Sequence, residues 1–282
     1  MNTMINQGFR FRFGSVMYDL SSRTHIMGVL NVTPDSFSDG GKFYALESAL
    51  ARAREMVDQG ADFLDIGGES TRPGSDPVPL EEEIRRVAPI IERLAKDMTV
   101  PISIDTYKAK VADAALNSGA VIVNDITGLT FDPGMVDVVV RHHASVVIMH
   151  MMGTPKTMQQ DPHYEDVTVE IADFLQKQAL KARKSGVNQI IIDPGIGFGK
   201  KLEHNLELIK RLAELRRSGC PLLIGPSRKS FIGMLLNLPV DQRLEGTAAA
   251  VTACILNGAN IIRVHDVMEM KRVAIIADAL KT

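Results

Sequence analysis

Short apolar runs alternate with amphipathic segments along most of the chain. Each run is rich in β-branched residues and is followed by a polar cluster and then by a stretch with helical periodicity. Runs such as Ile190-Ile-Ile192 and Leu222-Leu-Ile224 are apolar at every position, which is typical of parallel strands buried on both faces. Strands are predicted at residues 25–32, 63–67, 101–105, 121–126, 145–149, 189–193, 221–225 and 261–264.

Eight helices are predicted, one after each strand. They cover residues 44–59, 80–97, 107–118, 133–143, 165–185, 203–218, 243–258 and 267–280. Eight strand–helix units of uniform composition predict an α/β fold of the (β/α)8 TIM-barrel type. An open, doubly wound sheet is the alternative that this pattern leaves.

The opening segment, residues 9–20, alternates apolar and polar positions and breaks at Gly14-Ser15, which predicts a short β-hairpin. Such a hairpin is expected to plug the bottom of the barrel. No Gly/Ser-rich or Pro-rich linker follows it. One domain is therefore expected over residues 1–282, with the N-terminal hairpin in 1–24 and the barrel in 25–282.

Composition agrees with a large buried core. The chain has 282 residues, close to the roughly 250 of a typical barrel, and is 45% hydrophobic and 23% charged. A net charge of −2 gives no strong field toward nucleic acid or membrane surfaces. The two cysteines, Cys220 and Cys254, lie at or within apolar runs, so buried free thiols and a reducing cytoplasmic location are expected.

Nearly every predicted strand ends in a polar residue. The carboxyl ends of barrel strands carry the active site, so these side chains are expected to converge on one rim. Helix capping is the alternative explanation for a few of them, with Asp125 and Asp266 as candidates. The set is Asn31, Glu69, Asp105, Thr106, Asn124, Asp125, His150, Asp193, Ser227, Arg228, Lys229, Arg263, His265 and Asp266.

Three connections on this rim are long. Those at residues 31–41 and 69–77 are rich in Gly, Pro, Ser and Asp, and a third runs from 151 to 162. Long loops on the active face of a barrel are candidate substrate covers. The glycine-rich turn Gly195-Ile-Gly-Phe-Gly199 lacks a full dinucleotide motif, and we interpret it as a flexible turn that presents Phe198 as an aromatic wall.

The rim residues suit a polar heterocycle with an anionic tail. A carboxylate such as Asp193 can accept two parallel N–H bonds from a 2-amino-4-oxo-pyrimidine edge, and Asn124 offers both a donor and an acceptor. Lys229 can donate to a ring carbonyl, while Arg263 and His265 lie two apart on one strand. Neither HExxH nor paired cysteines occur, so zinc is not expected, whereas Mg²⁺ bound with a diphosphate is compatible.

Two long motifs and several shorter ones resemble the dihydropteroate synthase family closely. The long motifs cover residues 27–41, Met-Gly-Val-Leu-Asn-Val-Thr-Pro-Asp-Ser-Phe-Ser-Asp-Gly-Gly, and 65–74, Asp-Ile-Gly-Gly-Glu-Ser-Thr-Arg-Pro-Gly. Shorter matches follow in order at 105–106, 124–126, 149–155, 193–199, 225–233 and 263–266. An ordered series of this length is highly specific.

The resemblance implies a transferase that joins a pterin methyl diphosphate to p-aminobenzoate with Mg²⁺, and a homodimer formed through the last helices. The implied pterin site is Asp105, Asn124, Ile126, Met149, Asp193, Phe198, Gly225, Lys229 and Arg263. The implied p-aminobenzoate site is Thr71, Arg72, Pro73, Phe198, Ser227 and Lys229. The diphosphate would contact Asn31, Thr71, Arg263 and His265, with Asn31 as the metal ligand.

The implied catalytic residues are Asp105, Lys229, Arg263, His265 and, from the first loop, Asp35, with Phe37 beside it. Departure of diphosphate would leave a carbocation conjugated with the pterin, and the aromatic amine, already unprotonated at neutral pH, would attack it. This is an SN1-like path with ordered binding, in which the two acidic side chains Asp105 and Asp193 stabilise the cation.

Three other functions remain open at this point. A pterin-binding methyltransferase acting on methyltetrahydrofolate would share the ring-binding Asp and Asn, but would not need Arg263 and His265 for a diphosphate. A Schiff-base aldolase would use Lys229 as its nucleophile, and no carbonyl-substrate signal accompanies that lysine. A catalytically silent binding barrel would not need so complete a set of polar strand ends.

Overall fold

The computed structural model of the chain describes residues 8–32, 41–71 and 74–281, with the backbone alone for residues 41–45. Its strands are β1 (Arg10–Phe13), β2 (Val16–Asp19), β3 (His25–Asn31), β4 (Phe63–Gly67), β5 (Ile102–Asp105), β6 (Ile122–Asp125), β7 (Ser145–Met149), β8 (Ile190–Asp193), β9 (Leu223–Ile224) and β10 (Ile261–Val264). Its α-helices are α1 (Gly41–Asp58), α2 (Leu80–Asp97), α3 (Ala109–Asn117), α4 (Met135–Arg141), α5 (Val167–Lys184), α6 (Leu202–Lys210), α7 (Ser230–Leu236), α8 (Leu244–Leu256) and α9 (Val267–Ala279).

Strands β3 to β10 form a nearly closed parallel barrel. The order of hydrogen-bonded neighbours is β8, β7, β6, β5, β4, β3, β10, β9. A bridge between Ile192 and Leu222 joins the two ends of that series. The predicted (β/α)8 barrel is therefore confirmed, and the open doubly wound alternative is wrong.

Strands β1 and β2 form the predicted antiparallel hairpin, which turns at Gly14 and Ser15. Phe11 and Phe13 of this hairpin are buried in a cluster with interior residues of the barrel, and the Phe13 ring meets that of Phe63 edge-on at 5.1 Å. Since Phe63 begins β4, the hairpin closes the end of the barrel where the strands start. The opposite end is thereby left for the site.

The helices form the outer layer and bury apolar residues against the strands. In α2, the buried positions Val87, Ile90, Ile91 and Leu94 recur at helical spacing, and acidic residues occupy the first turn. Asp166 caps α5 by accepting hydrogen bonds from the backbone N–H groups of Thr168 and Val169. The main core lies between the buried helix residues and the outer faces of the strands.

Two segments differ from the predicted elements. The helix predicted at 203–218 is split into α6 and a 3₁₀ helix, Leu212–Ser218, and α7 was not predicted. The strand predicted at 221–225 is ordered as a strand only at Leu223–Ile224. Pro221 and Pro226 flank that pair and lack N–H donors, which limits the ladder.

No helix in the described ranges combines the length and apolar character needed to cross a membrane. Cys220 and Cys254 are buried and free, as predicted.

Candidate active site

All eight barrel strands bring side chains to one end of the barrel. The strand pairing sets Asn31 beside Gly67, Gly67 beside Asp105, and Asp105 beside Asn124. The other strands complete the ring with Met149, Asp193, Ser227, Lys229, Arg263 and His265. The described strand-end residues that the sequence singled out therefore share one rim.

Arg263 on β10 lies between two buried carboxylates. Its Nε donates to Oδ2 of Asp65 at 2.6 Å, and its Nη2 donates to Oδ2 of Asp105 at 2.7 Å. Burial disfavours the guanidinium charge, but attraction by the two carboxylates outweighs burial and raises the pKa of Arg263. The guanidinium is consequently fixed in place before any ligand arrives.

Asp65 is the residue that sequence reasoning missed here. It lies in the middle of β4 and is fully buried, and its Oδ2 also accepts a hydrogen bond from Nδ2 of Asn124 at 3.0 Å. The only available signal was a charged residue inside an apolar run, Phe-Leu-Asp-Ile-Gly. Because the amide nitrogen of Asn124 is bound to Asp65, its carbonyl oxygen is left as an acceptor for a ligand.

Asp105 combines a charge partner with an unused acceptor. Its Oδ1 is buried and accepts no hydrogen bond from any described residue. Burial raises the pKa of Asp105 to about 7, against the attraction of Arg263 and with help from the neighbouring charge of Asp65. A buried acceptor of this kind is costly unless a ligand donor satisfies it.

Asp193 ends β8 and is held by the turn that follows. Its Oδ1 accepts a hydrogen bond from the backbone N–H of Gly195 at 2.7 Å. Burial raises the pKa of Asp193 to about 6, although that hydrogen bond and the charge of Lys229 favour the ionised form. The carboxylate is therefore oriented, and its protonation changes close to neutral pH.

Lys229 lies above an aromatic ring. Its Nζ is 3.9 Å from the centroid of Phe198, within the range of a cation–π interaction. Burial and the charge of Arg263 lower the pKa of Lys229 to about 8, while Asp193 and Asp105 oppose the shift. The amine and the ring therefore lie against each other at the rim.

His265 and Ser227 are paired at the same rim. Ser227 Oγ lies 3.1 Å from Nδ1 of His265, and the Ser227 hydroxyl also accepts from the His265 backbone N–H at 3.3 Å. Burial, followed by the charge of Arg263, lowers the pKa of His265 to about 4. His265 is thus a neutral hydrogen-bonding side chain at neutral pH, while Arg263 carries the fixed positive charge.

The second loop is anchored by a buried ion network. Oε2 of Glu69 accepts from Nζ of Lys108 at 2.6 Å and from the backbone N–H of Val78 at 2.7 Å, and its Oε1 accepts from the Tyr107 hydroxyl at 2.6 Å. Lys108 also pairs with Glu83 at 2.6 Å. These contacts fix both ends of the loop that carries the half-buried Thr71.

The remaining predicted site residues form two groups. Asp35, Phe37, Arg72 and Pro73 lie outside the described residues. Ile126 and Met149 are buried in the wall, and Gly225 leaves space beside Arg263, since an added Cβ would lie 3.7 Å from the Cβ of Arg263.

Three local interpretations need correction. Asp266 does not cap α9 through its side chain and instead pairs with Arg228, at 2.9 Å from Nε to Oδ2. The turn from Gly195 to Gly199 is tightly packed rather than flexible, because a Cβ at Gly195 would lie 2.0 Å from the carbonyl oxygen of His150. Asp125 likewise does not cap the next helix, whose N-cap is Gly134, and instead accepts from the N–H groups of Thr127 and Leu129 in the turn after β6.

A metal site of protein ligands alone is absent from the described ranges, which contain no group of three His, Cys, Asp or Glu side chains suited to a metal. Gly67 nevertheless leaves a notch between two oxygen donors. An added Cβ would lie 3.7 Å from Oδ2 of Asp105 and 3.8 Å from Oδ1 of Asn31. One amide oxygen beside such a notch fits Mg²⁺ if a diphosphate and water supply the other ligands.

Comparison with known proteins places this geometry in a family. The family model described as pterin binding enzyme matches residues 27–265. A dihydropteroate synthase from Synechocystis sp. is 49% identical over 270 residues, which cover 95% of this chain and 93% of that protein.

Solved structures of the same class are similar over nearly the whole chain. The dihydropteroate synthase of Yersinia pestis with a sulfonamide drug has a TM-score of 0.90 and 43% identity, covering 96% of this chain and 98% of that one. The Xanthomonas albilineans enzyme with 4-aminobenzoic acid also has a TM-score of 0.90, with 41% identity and coverage of 97% and 98%.

Proposed function

The chain belongs to the pterin binding enzyme family as a dihydropteroate synthase, and from this premise we propose that the cluster around Arg263 is its active site. The enzyme condenses 6-hydroxymethyl-7,8-dihydropterin diphosphate with p-aminobenzoate, giving 7,8-dihydropteroate and diphosphate in folate synthesis. The observation that carries the site proposal is the buried Asp105 carboxylate, which is paired with Arg263 on one oxygen and has no described partner on the other.

The pterin ring is assigned to the deep end of this pocket. Asp193 would accept N–H bonds from the aminopyrimidine edge, and the carbonyl oxygen of Asn124 would accept another. Lys229 would donate to the ring carbonyl, and the planar guanidinium of Arg263 would stack on the ring. Ile126, Met149, Phe198 and Gly225 would form the apolar walls.

The diphosphate is assigned to the rim around Arg263. The diphosphate oxygens would be bound by the Arg263 guanidinium, the ring N–H of neutral His265 and the Thr71 hydroxyl. Asn31 would hold Mg²⁺ at the notch beside Gly67, and Mg²⁺ bound there would act as a Lewis acid for the leaving group.

The p-aminobenzoate is assigned to the space bounded by Phe198, Lys229 and Ser227. Thr71, Arg72 and Pro73 of the second loop would close over it. Ser227 is buried and bound to His265, so its position is fixed by the last strand. The cation of Lys229 above Phe198 gives this wall both a charge and an aromatic face. Asp35 would act from the first loop.

We infer an SN1-like reaction in this pocket. The bond between the methylene carbon and the diphosphate oxygen breaks, and Arg263 and His265 stabilise the departing anion. Asp105 and Asp193 stabilise the carbocation that remains conjugated with the pterin. The amine lone pair of p-aminobenzoate forms the new C–N bond, and its proton leaves to solvent.

A methyltransferase acting on methyltetrahydrofolate has no observation in its favour. Arg263 and His265 lie together at the rim, where such an enzyme would have no diphosphate to bind.

We further propose that the chain works as one pterin-binding domain over residues 1–282, with the hairpin in 1–24 and the barrel in 25–282. We also propose a homodimer through the last helices, supported by the exposed apolar residues Leu256, Ile275, Ile276 and Leu280. Buried free thiols support a reducing, cytoplasmic compartment. Sedimentation of the purified protein at several concentrations tests the dimer, and a monomer throughout would exclude it.

The function is tested by incubating the purified protein with the pterin diphosphate, p-aminobenzoate and Mg²⁺. Diphosphate and dihydropteroate are expected to form in equal amounts, and a chelator is expected to stop both. Tight binding of the pterin diphosphate without product would support the assigned pterin pocket but exclude p-aminobenzoate as the acceptor substrate. The absence of both binding and product would refute the proposed site.

A further inference from the structure

One buried cation lies just behind the proposed pocket and has no role in the scheme above. Lys200 follows the glycine-rich turn after β8, and only 3% of it is exposed. Its Nζ forms no salt bridge with any residue in the described ranges, and its partners are all uncharged. A lysine buried in this way is uncommon, because desolvation of the charge is costly unless the amine is fully hydrogen-bonded.

The amine of Lys200 has three acceptors. Its Nζ lies 2.8 Å from the carbonyl oxygen of Phe198, 3.2 Å from Nδ1 of His150 and 3.3 Å from the carbonyl oxygen of His150. An ammonium group has three donors, so each donor has one acceptor. Burial lowers the pKa of Lys200 to about 7, with Asp193 opposing the shift and Lys229 adding to it. The neutral amine would still have two donors for the two carbonyls.

His150 is suited to accept one of these bonds. Burial, followed by the charge of Lys200, lowers the pKa of His150 to about 3, so the ring is neutral. Its ring packs edge-on against that of Phe174, with 5.0 Å between centroids. When the proton of the neutral ring is on Nε2, Nδ1 is unprotonated and can accept a hydrogen bond from Lys200.

Lys200 thereby ties together the ends of two neighbouring strands. His150 follows β7, and Phe198 belongs to the turn after β8. The nearer of the two carbonyls that Lys200 binds belongs to Phe198, whose ring centroid lies 3.9 Å from Nζ of Lys229. The same turn is fixed at its other side by Asn205, whose Oδ1 accepts from the Gly197 backbone N–H at 2.7 Å.

We propose that Lys200 is a positioning residue for p-aminobenzoate, because its buried amine holds the Phe198 backbone so that the aromatic wall stays beneath Lys229. This inference rests on the role of Phe198 in the proposed function. Lys200 forms no hydrogen bond with the proposed pterin contacts Asp105, Asn124 and Asp193. Its charge favours the ionised form of Asp193, but less than the Gly195 hydrogen bond and the charge of Lys229 do. Loss of the Lys200 amine is therefore expected to weaken binding of p-aminobenzoate far more than binding of the pterin diphosphate.

The first test replaces Lys200 by methionine, which keeps the length of the side chain without its donors. For Lys200→Met, the KM for p-aminobenzoate is expected to rise roughly tenfold, because the Phe198 carbonyl loses its buried donor. The kcat and the Kd of the pterin diphosphate are expected to change less than about twofold on the same reasoning. Lys200→Gln, which retains an N–H donor, is expected to fall between the wild type and Lys200→Met.

Lys201 provides the matched control. It is the next residue, and its exposed side chain pairs with Asp161, which is also exposed. Lys201→Met is expected to leave the KM for p-aminobenzoate and the Kd of the pterin diphosphate unchanged. Equal losses for the two substrates in Lys200→Met, or a similar effect in Lys201→Met, would overturn the positioning role.

Phe198→Leu separates failure of this inference from failure of the proposed function. An unchanged KM for p-aminobenzoate in Phe198→Leu would mean that the proposed wall itself is wrong. A raised KM there with a normal Lys200→Met would leave the wall in place and remove the role of Lys200. If Lys200 acts through Phe198, the double variant is expected to match Phe198→Leu alone, whereas multiplied effects would show independent roles.

Discussion

Oδ2 of Asp65, in the middle of β4, accepts a hydrogen bond from Nε of Arg263 across 2.6 Å. The same oxygen accepts from Nδ2 of Asn124, so one buried carboxylate orients two of the proposed pterin-binding side chains. Asp65→Asn is expected to weaken binding of the pterin diphosphate by roughly ten- to a hundredfold, because it removes a charge-assisted bond and places an amide between donors. Calorimetry measures this.

Asp62→Asn is the matched control for Asp65→Asn. Asp62 precedes β4, at the other end of the barrel, and pairs with Arg23 and Lys271. Its neutralisation is expected to lower the free energy of unfolding while pterin affinity stays normal. Normal affinity in Asp65→Asn, or an equal loss in Asp62→Asn, would remove the orienting role.

Asp105→Asn separates cation stabilisation from pterin binding. The amide keeps the shape and one acceptor, but it cannot offer a negative charge to the carbocation formed when diphosphate leaves. Turnover is therefore expected to fall roughly a hundredfold, whereas the Kd of the pterin diphosphate is expected to rise by less than about tenfold. Steady-state kinetics and calorimetry on one preparation give the two numbers, and comparable losses in both would contradict the stabilising role.

Pterin affinity is expected to fall as the pH is lowered through 7 and 6. Burial raises the pKa of Asp105 to about 7 and that of Asp193 to about 6, so both carboxyls take up protons in this range and lose acceptor capacity for the ring N–H groups. Asp193→Asn is expected to bind weakly at high pH and to lose the part of the decline near pH 6. Calorimetry from pH 5 to 8 tests this, since the difference between variants cancels the ligand's own titration. Parallel curves would rule out Asp193 as the titrating group.

Magnesium dependence is expected to reside in Asn31. Asn31→Ala removes the amide oxygen at the notch beside Gly67, so the Mg²⁺ concentration for half-maximal activity is expected to rise roughly tenfold. Asn31→Asp, which keeps an oxygen ligand, is the control and is expected to stay near or below the wild-type value. Titration of Mg²⁺ into chelator-treated enzyme measures both. An unchanged requirement in Asn31→Ala would place the metal elsewhere.

The barrel was predictable because continuous apolar runs such as Ile190-Ile-Ile192 have few other structural solutions when helices separate them. The short β9 and the helix α7 were not resolved by the same reasoning. Pro221 and Pro226 shorten β9, and the predicted strand therefore extended past its real end. Segment 230–236 reads as the continuation of a motif rather than as a helix.

The placement of the candidate site residues at one rim was predictable where polar residues end strands, as at Asp105 and Asp193. Asp65 escaped because it lies two residues before the end of β4, and the prediction looked only at strand ends. Lys200 escaped for another reason. A lysine after a glycine-rich turn is expected in solvent, and its burial results from packing against His150, which is 50 positions away. Contacts of this kind belong to the tertiary fold and leave no local pattern.

The turn that presents Phe198 is expected to tolerate no side chain at Gly195. Gly195 and Gly219 have nearly the same φ, 69° and 66°, in the left-handed region. They differ in their surroundings, because a Cβ at Gly195 would lie 2.0 Å from the His150 carbonyl oxygen, while a Cβ at Gly219 would have no atom within 4 Å. Alanine at either position incurs the left-handed conformation, at about 1–2 kcal/mol.

Only Gly195→Ala also displaces the backbone after β7, so we expect it to lower the free energy of unfolding by at least about 2 kcal/mol more than Gly219→Ala. Urea denaturation of the two variants measures the difference directly, and the shared φ cancels from it. Because the displaced carbonyl is one that Lys200 binds, Gly195→Ala is also expected to raise the KM for p-aminobenzoate. Equal free energies of unfolding for the two variants would mean that the turn accommodates the added methyl group without loss of stability. Tight packing of the turn would then not explain a rigid Phe198 wall for p-aminobenzoate.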